Sequence, residues 1–106
     1  MNESKTYKTA VLDALDKAMQ EVFGNNLEHF FVPSRKREIC DVRMIALKIF
    51  RDETEYSYQQ IGRFFGKHHT TIIHNIQCAN NFIGTDKKFS HDYNLLFRTF
   101  KKFLSE

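Results

Sequence analysis

The chain has 106 residues, 42% of them apolar and 11 of them phenylalanine. That describes one folding domain with a modest core and excludes both a two-domain protein and a chain disordered beyond its ends. The formal charge of +3 is unevenly spread, with residues 1–33 at −2, 34–82 at +3 and 83–106 at +2. This bias is compatible with a polyanionic partner and does not define one. No run reaches the ~18–20 apolar residues of a membrane span, and the N-terminus has no apolar signal core. A cytoplasmic chain is therefore expected, with Cys40 and Cys78 as free thiols, since neither has a CxxC partner.

Apolar spacings of three and four dominate and strand alternation is scarce, so the fold class is all-α. A first helix is expected over Thr6–Phe23, with Val11, Leu12, Leu15, Ala18, Met19 and Val22 on one stripe and Gly24 stopping it in the left-handed conformation. "NNLEHFFVP" follows as a link, with Phe30 and Phe31 in a short buried turn of helix. A second long helix starts after Pro33, with Ser34 as N-cap. Ile39, Val42, Ala46 and Ile49 form its inner face, and Met44, Ile45, Leu47 and Phe50 widen that face, so this helix is central. "RDETE" reads as its solvated exit. "SYQQIGRFFG" is a short helix opened by a Ser57–Gln60 capping box and closed by Gly66. A linker of at most "KHHT" leads into a further helix with Ile72, Ile76, Ala79 and Ile83 on one stripe. A last helix begins near Ser90 and carries Tyr93, Leu96, Phe97, Phe100 and Leu104. The expected organisation is a single domain over 1–106, with an N-terminal helix (1–24), a central unit (34–83) and a C-terminal helix (90–104).

"GKHHTTIIH", residues 66–74, carries the densest chemistry. A phosphate loop needs four residues between its glycines, a hydroxyl after the lysine and a preceding strand. Here Gly62 and Gly66 enclose three residues, His68 stands at the hydroxyl position and the flanks are helical. A zinc site is also disfavoured. His69 and His74 are five apart, about 140° around a helix, and do not converge on one ion. Two helices joined by a tight glycine turn match a helix-turn-helix, whose second helix enters the major groove tip first. On that helix His69, Thr70, Ile73, His74 and Gln77 share the outward side, and Ile72, Ile76 and Ala79 face the core. Hydroxyl and imidazole groups bond base edges, and the methyl groups of Thr and Ile can touch thymine methyls. On pattern alone, a plain helical hairpin remains the alternative.

"SRKRE" places Arg35, Lys36 and Arg37 at the start of the central helix, where cations oppose the helix dipole. A bound phosphate would reverse that penalty, and an arginine in an extended arm can enter a narrow minor groove. Solvated charge offset by Glu38 and Asp41 is the competing explanation. Arg51, Arg63 and Lys67 are further candidates for phosphate contacts.

"IGRFFGKHHTTIIH", together with "SRKR", resembles the signature of the C-terminal DNA-binding domain of the bacterial replication initiator DnaA. The similarity runs from about Val22 to Leu104. It implies a Trp-repressor-like helix-turn-helix fold and binding to short duplex sites, the DnaA boxes. By resemblance, Arg35 matches the minor-groove arginine, and His69, Thr70 and Thr71 match the residues facing the major groove. Ile73 matches an apolar contact to a thymine methyl, Gln59 falls where a proline often lies near DNA, and Arg51 matches a basic backbone contact. Two departures stand out. The turn is shorter by one residue, and His68 replaces an acidic residue that accepts from a cytosine amine and can cap the helix.

Sequence-specific duplex DNA binding without catalysis is the expected function, with a role in regulating replication initiation or transcription and replication proteins as further partners. No nucleotide-binding module lies in the chain, so no ATPase activity is expected of it. No paired carboxylates, nucleophile–base pair or metal set supports an enzyme, and no cofactor is expected. The alternative is a DnaA-like protein-interaction module that has lost DNA reading, with the aromatic last helix as its docking surface. There Phe97 or Phe103 would be exposed and Phe100 buried.

Overall fold

A computed structural model of the protein describes residues 2–106, with side chains from Thr9 onward. Six helices follow in order: α1 Asn2–Phe23, α2 Leu27–Phe31, α3 Arg37–Glu53, α4 Tyr58–Phe65, α5 His69–Ile83 and α6 Lys87–Leu104. There is no strand among the described residues, and the all-α helix-turn-helix architecture is as expected.

α1 buries Val11, Ala14, Leu15, Ala18 and Met19. It ends where Gly24 adopts φ 80° and donates its N–H to the Gln20 carbonyl at 3.0 Å. Asp16 then ties the next element back, because its carboxylate accepts the Leu27 N–H at 2.7 Å. Asn26 caps α2 by accepting from the His29 N–H at 3.0 Å. The far end of α2 is held by Arg43 of α3, which donates to the carbonyls of Phe30 (2.8 Å) and Val32 (2.9 Å). One side chain thus satisfies two carbonyls that a short helix leaves without partners.

α3 buries Val42, Ile45, Ala46, Leu47, Ile49 and Phe50 and is the central helix. It starts later than its proline suggests. Lys36 occupies the N-cap position without a side-chain cap bond. The Ser34 hydroxyl instead accepts from the Lys36 N–H at 3.2 Å. That local bond forms a turn ahead of the helix, so residues 34–36 run as a short non-helical arm. The exit of α3 is also less solvated than "RDETE" suggests. Thr54 is buried and donates to the Phe50 carbonyl at 2.8 Å.

Phe50 is the hub of an aromatic cluster. Its ring centroid lies 5.5 Å from Phe65, 6.0 Å from Phe64 and 6.1 Å from Tyr56, and Phe31 stacks on Phe65 at 4.6 Å. Edge and offset contacts of this kind add to area burial, and here they fasten α4 and α2 to the end of α3.

α6 starts at Lys87, three residues ahead of Ser90, because Asp86 supplies the cap and accepts from the Phe89 N–H at 3.0 Å. Phe89, Leu96 and Phe100 are buried. Phe97 and Phe103 are half-buried, with Lys101 Nζ 5.6 Å from the Phe97 centroid and Lys102 Nζ 5.0 Å from that of Phe103. The Lys101 and Lys102 ammonium groups thus lie over these rings, and neither ring has the full exposure expected of it. The large hydrophobic side chain exposed among the described residues is Val32.

Phe50→Ala should lower the unfolding free energy by about 3–5 kcal/mol in urea denaturation. Phe97→Ala should cost much less. Equal losses would show that the Phe50 cluster is not the central anchor.

Candidate nucleic-acid interface

The unit of interest is α4, the turn and α5. α4 opens with a complete capping box, in which Ser57 Oγ accepts from the Gln60 N–H at 3.1 Å and Gln60 Oε1 accepts from the Ser57 N–H at 2.9 Å. It closes at Gly66, with φ 66°. The Gly62 carbonyl accepts from the N–H of Gly66 and, at 2.8 Å, from that of Lys67. Gly62 is also a steric requirement. A Cβ there would press on the Lys67 carbonyl oxygen, well inside contact distance. Three residues separate α4 from α5, and this close approach brings the start of α5 against α4.

α5 is locked on its inner side by Ile72, Asn75, Ile76 and Ala79, all buried. Asn75 is the polar member of that face, and its amide donates to the Thr71 carbonyl at 2.7 Å. The helix begins with His68 as N-cap. Its Nδ1 accepts from the Thr70 N–H at 3.2 Å and lies 2.8 Å from Thr70 Oγ1. An imidazole nitrogen therefore performs the capping that Ser, Asp or Asn usually provides. The His68 and His69 rings pack with centroids 4.4 Å apart and planes inclined by 32°.

The sequence-derived candidates divide into groups. Gln59, Lys67, His68 and His69 come together, with Gly62, Arg63 and Gly66, around a shallow depression of about 410 Å³. Along α5, Thr70, Thr71, His74 and Gln77 are exposed. Ile73 is half-buried, less exposed than its outward position suggests. His74 Nε2 meets Cys78 Sγ at 3.6 Å, one turn on.

The basic arm is elsewhere. Arg37 pairs with Asp41 and with Asp86, each at 3.2 Å, and its guanidinium lies 5.7 Å from the Phe82 ring centroid. That places the arm beside the C-terminal end of α5, one helix length (roughly 22 Å for 15 residues) from His68. Arg35 and Lys36 are exposed, and among the described residues neither side chain has an ion-pair or hydrogen-bond partner. Arg51 is built into the fold. Its Nη1 donates to the Tyr56 carbonyl at 2.8 Å and its guanidinium lies 4.4 Å from the Tyr58 centroid, bracing the entry to α4.

Sequence reasoning missed Arg43 and Asn75. Arg43 did carry a signal, since no acid stands three or four residues to either side of it, so its partner had to lie outside its own helix. Asn75 follows Ile72 by three residues, a spacing that places it inward.

A short capped helix, a glycine turn and a second helix with one locked and one polar face define a helix-turn-helix protein. The family model described as "Bacterial dnaA protein helix-turn-helix" matches residues 12–78, and the chain belongs to that family. The chromosomal replication initiator protein DnaA of Wolbachia pipientis wMel is 31% identical over 96 residues, which is 90% of this chain and 21% of that protein. DnaA of Anaplasma marginale is 30% identical over 93 residues, 87% of this chain and 20% of its own length. DnaA of Picosynechococcus is 31% identical over 91 residues, 85% of this chain and again 20% of its own length. The chain thus spans about a fifth of the length of these relatives.

Gly62→Ala should destabilise the protein by at least about 1–3 kcal/mol, the cost of strained packing, and Gly66→Ala by about 1 kcal/mol through its positive φ. Gly84→Ala, with open space around its Cβ position, should stay within about 0.5 kcal/mol. Urea midpoints rank the three variants. An undisturbed Gly62→Ala would remove the close approach from the account.

Proposed function

We propose that this chain binds double-stranded DNA sequence-specifically at DnaA-box-like sites. α5 would lie in the major groove, and the 34–37 arm would lie against the flanking minor groove and backbone. The observation that carries this reading is the division of α5: one face is locked in the core, and the other presents His68, Thr70, Thr71 and His74 to solvent. The exposed, non-helical arm beside the other end of α5 supports it as a second point of contact. Arg35 and Lys36 have side chains free to meet phosphate or enter a narrow groove. Lys67 and Gln59 flank the tip of α5, and His69, Thr70, Thr71 and Ile73 would contact base edges and methyls.

Such a domain acts by occupying sites, without catalysis. On this reading the chain contributes to regulating replication initiation or transcription on the nucleoid, in the cytoplasm, alongside replication proteins. The relatives named above are replication initiators, which supports that setting.

Fluorescence titration against duplexes with and without a DnaA box tests the reading. The box should bind at least about tenfold more tightly at a fixed salt concentration, as one good base contact alone provides. Equal affinity for a scrambled duplex across salt concentrations would refute it. His69→Ala and Thr70→Ala should reduce the ratio between box and scramble. Arg35→Ala should weaken both and flatten the salt dependence by about one counterion. Arg37→Ala should weaken binding less than Arg35→Ala, because Asp41 and Asp86 already neutralise that guanidinium.

A further inference from the structure

His68 caps α5 through its imidazole ring. Neutral imidazole has one nitrogen that accepts and one that donates, and a hydrogen bond to the first fixes the role of the second. In His68, Nδ1 faces the Thr70 N–H at 3.2 Å and the Thr70 hydroxyl oxygen at 2.8 Å. A proton on Nδ1 would set two N–H groups against each other at the first of these contacts. The cap therefore holds Nδ1 as the acceptor and the proton on Nε2. The adjacent His69 ring, 4.4 Å away, lies across one face of the His68 ring and limits its rotation. The side chain is exposed at the tip of α5, so its donating edge faces away from the helix.

We propose that His68 is a specificity-determining residue. Its Nε2–H donates to a base edge in the major groove and selects guanine over cytosine at the base it faces. The reason is the polarity of the bases. Guanine offers two acceptors in the major groove, O6 and N7, while cytosine offers only its amine donor. A group restricted to donating accepts the first and rejects the second.

This inference rests on the DNA-binding reading above, and its test separates the two. Two replacements keep the cap and differ in outward polarity. Asn caps through its side-chain oxygen and keeps an amide donor outward. Asp caps as well but can only accept. Selection from a random duplex pool with the wild type, His68→Asn and His68→Asp should reveal one position at which the preference depends on residue 68. The wild type and His68→Asn should favour guanine over cytosine there, and His68→Asp should favour cytosine over guanine. Each preference should be about tenfold, the scale of one base contact. In the free protein, nitrogen-15 NMR of the imidazole should show the proton of His68 on Nε2.

A proton found on Nδ1 would overturn the proposal without any DNA. Selected sites that are identical for all three proteins would overturn it while leaving sequence-specific binding intact. A wild-type pool without any enriched site would instead overturn the DNA-binding reading itself. Circular dichroism of the three proteins should coincide; a loss of helix in His68→Asp alone would contradict the shared capping role.

Discussion

The close approach of α4 and the turn at Gly62 is the constraint on which the site depends. Its carbonyl receives the N–H groups of Gly66 and Lys67, and the absence of a side chain lets the Lys67 carbonyl sit where a Cβ would be. The turn is thus both bonded and sterically closed. It brings α5 onto α4 within three residues, which puts His68 at the helix tip and Ile72 in the core. With α5 anchored along its length by Ile76 and Ala79, its polar face is a rigid surface, and contacts made by a rigid surface lose less entropy on binding.

The cations of the chain divide by role. Arg43 and Arg51 donate to backbone carbonyls, at the end of α2 and the entry to α4. Those bonds hold the pieces that flank the helix-turn-helix. Arg37 pairs with carboxylates from α3 and from the cap of α6. The side chains of Arg35 and Lys36 are exposed and carry no such bond among the described residues. The small formal charge of +3 therefore understates the specialisation, since what matters for a phosphate backbone is which cations face outward on one side.

Much of the fold was legible because local chemistry decided it. Gly24 and Gly66 stop helices by adopting positive φ, and the Ser57–Gln60 box is a reciprocal pair of bonds within four residues. The apolar stripes of α1, α3 and α5 follow from periodicity alone. The failures lie where a competing local bond or a distant partner decided. Ser34 forms a turn with Lys36 in place of a cap, and Asp86 takes the start of α6 from Ser90. Thr54 is drawn inward in a charged stretch by a bond to the preceding turn. Within the site, Thr70, His74 and Gln77 on the outward face of α5 were legible, while His69 and Ile73 are half-buried; the capping by His68 Nδ1 was not legible, because histidine is seldom a cap and its ring orientation depends on Thr70 and His69.

Amide chemical-shift mapping tests the central claim most directly. On addition of a duplex carrying a DnaA box, the perturbed amides should cluster in residues 66–74 and in the 34–37 arm, with α1 and the outer side of α6 unchanged. Perturbations centred on α6 around Phe97 and Phe103, with residues 66–74 silent, would contradict the assignment of α5 as the helix that meets DNA.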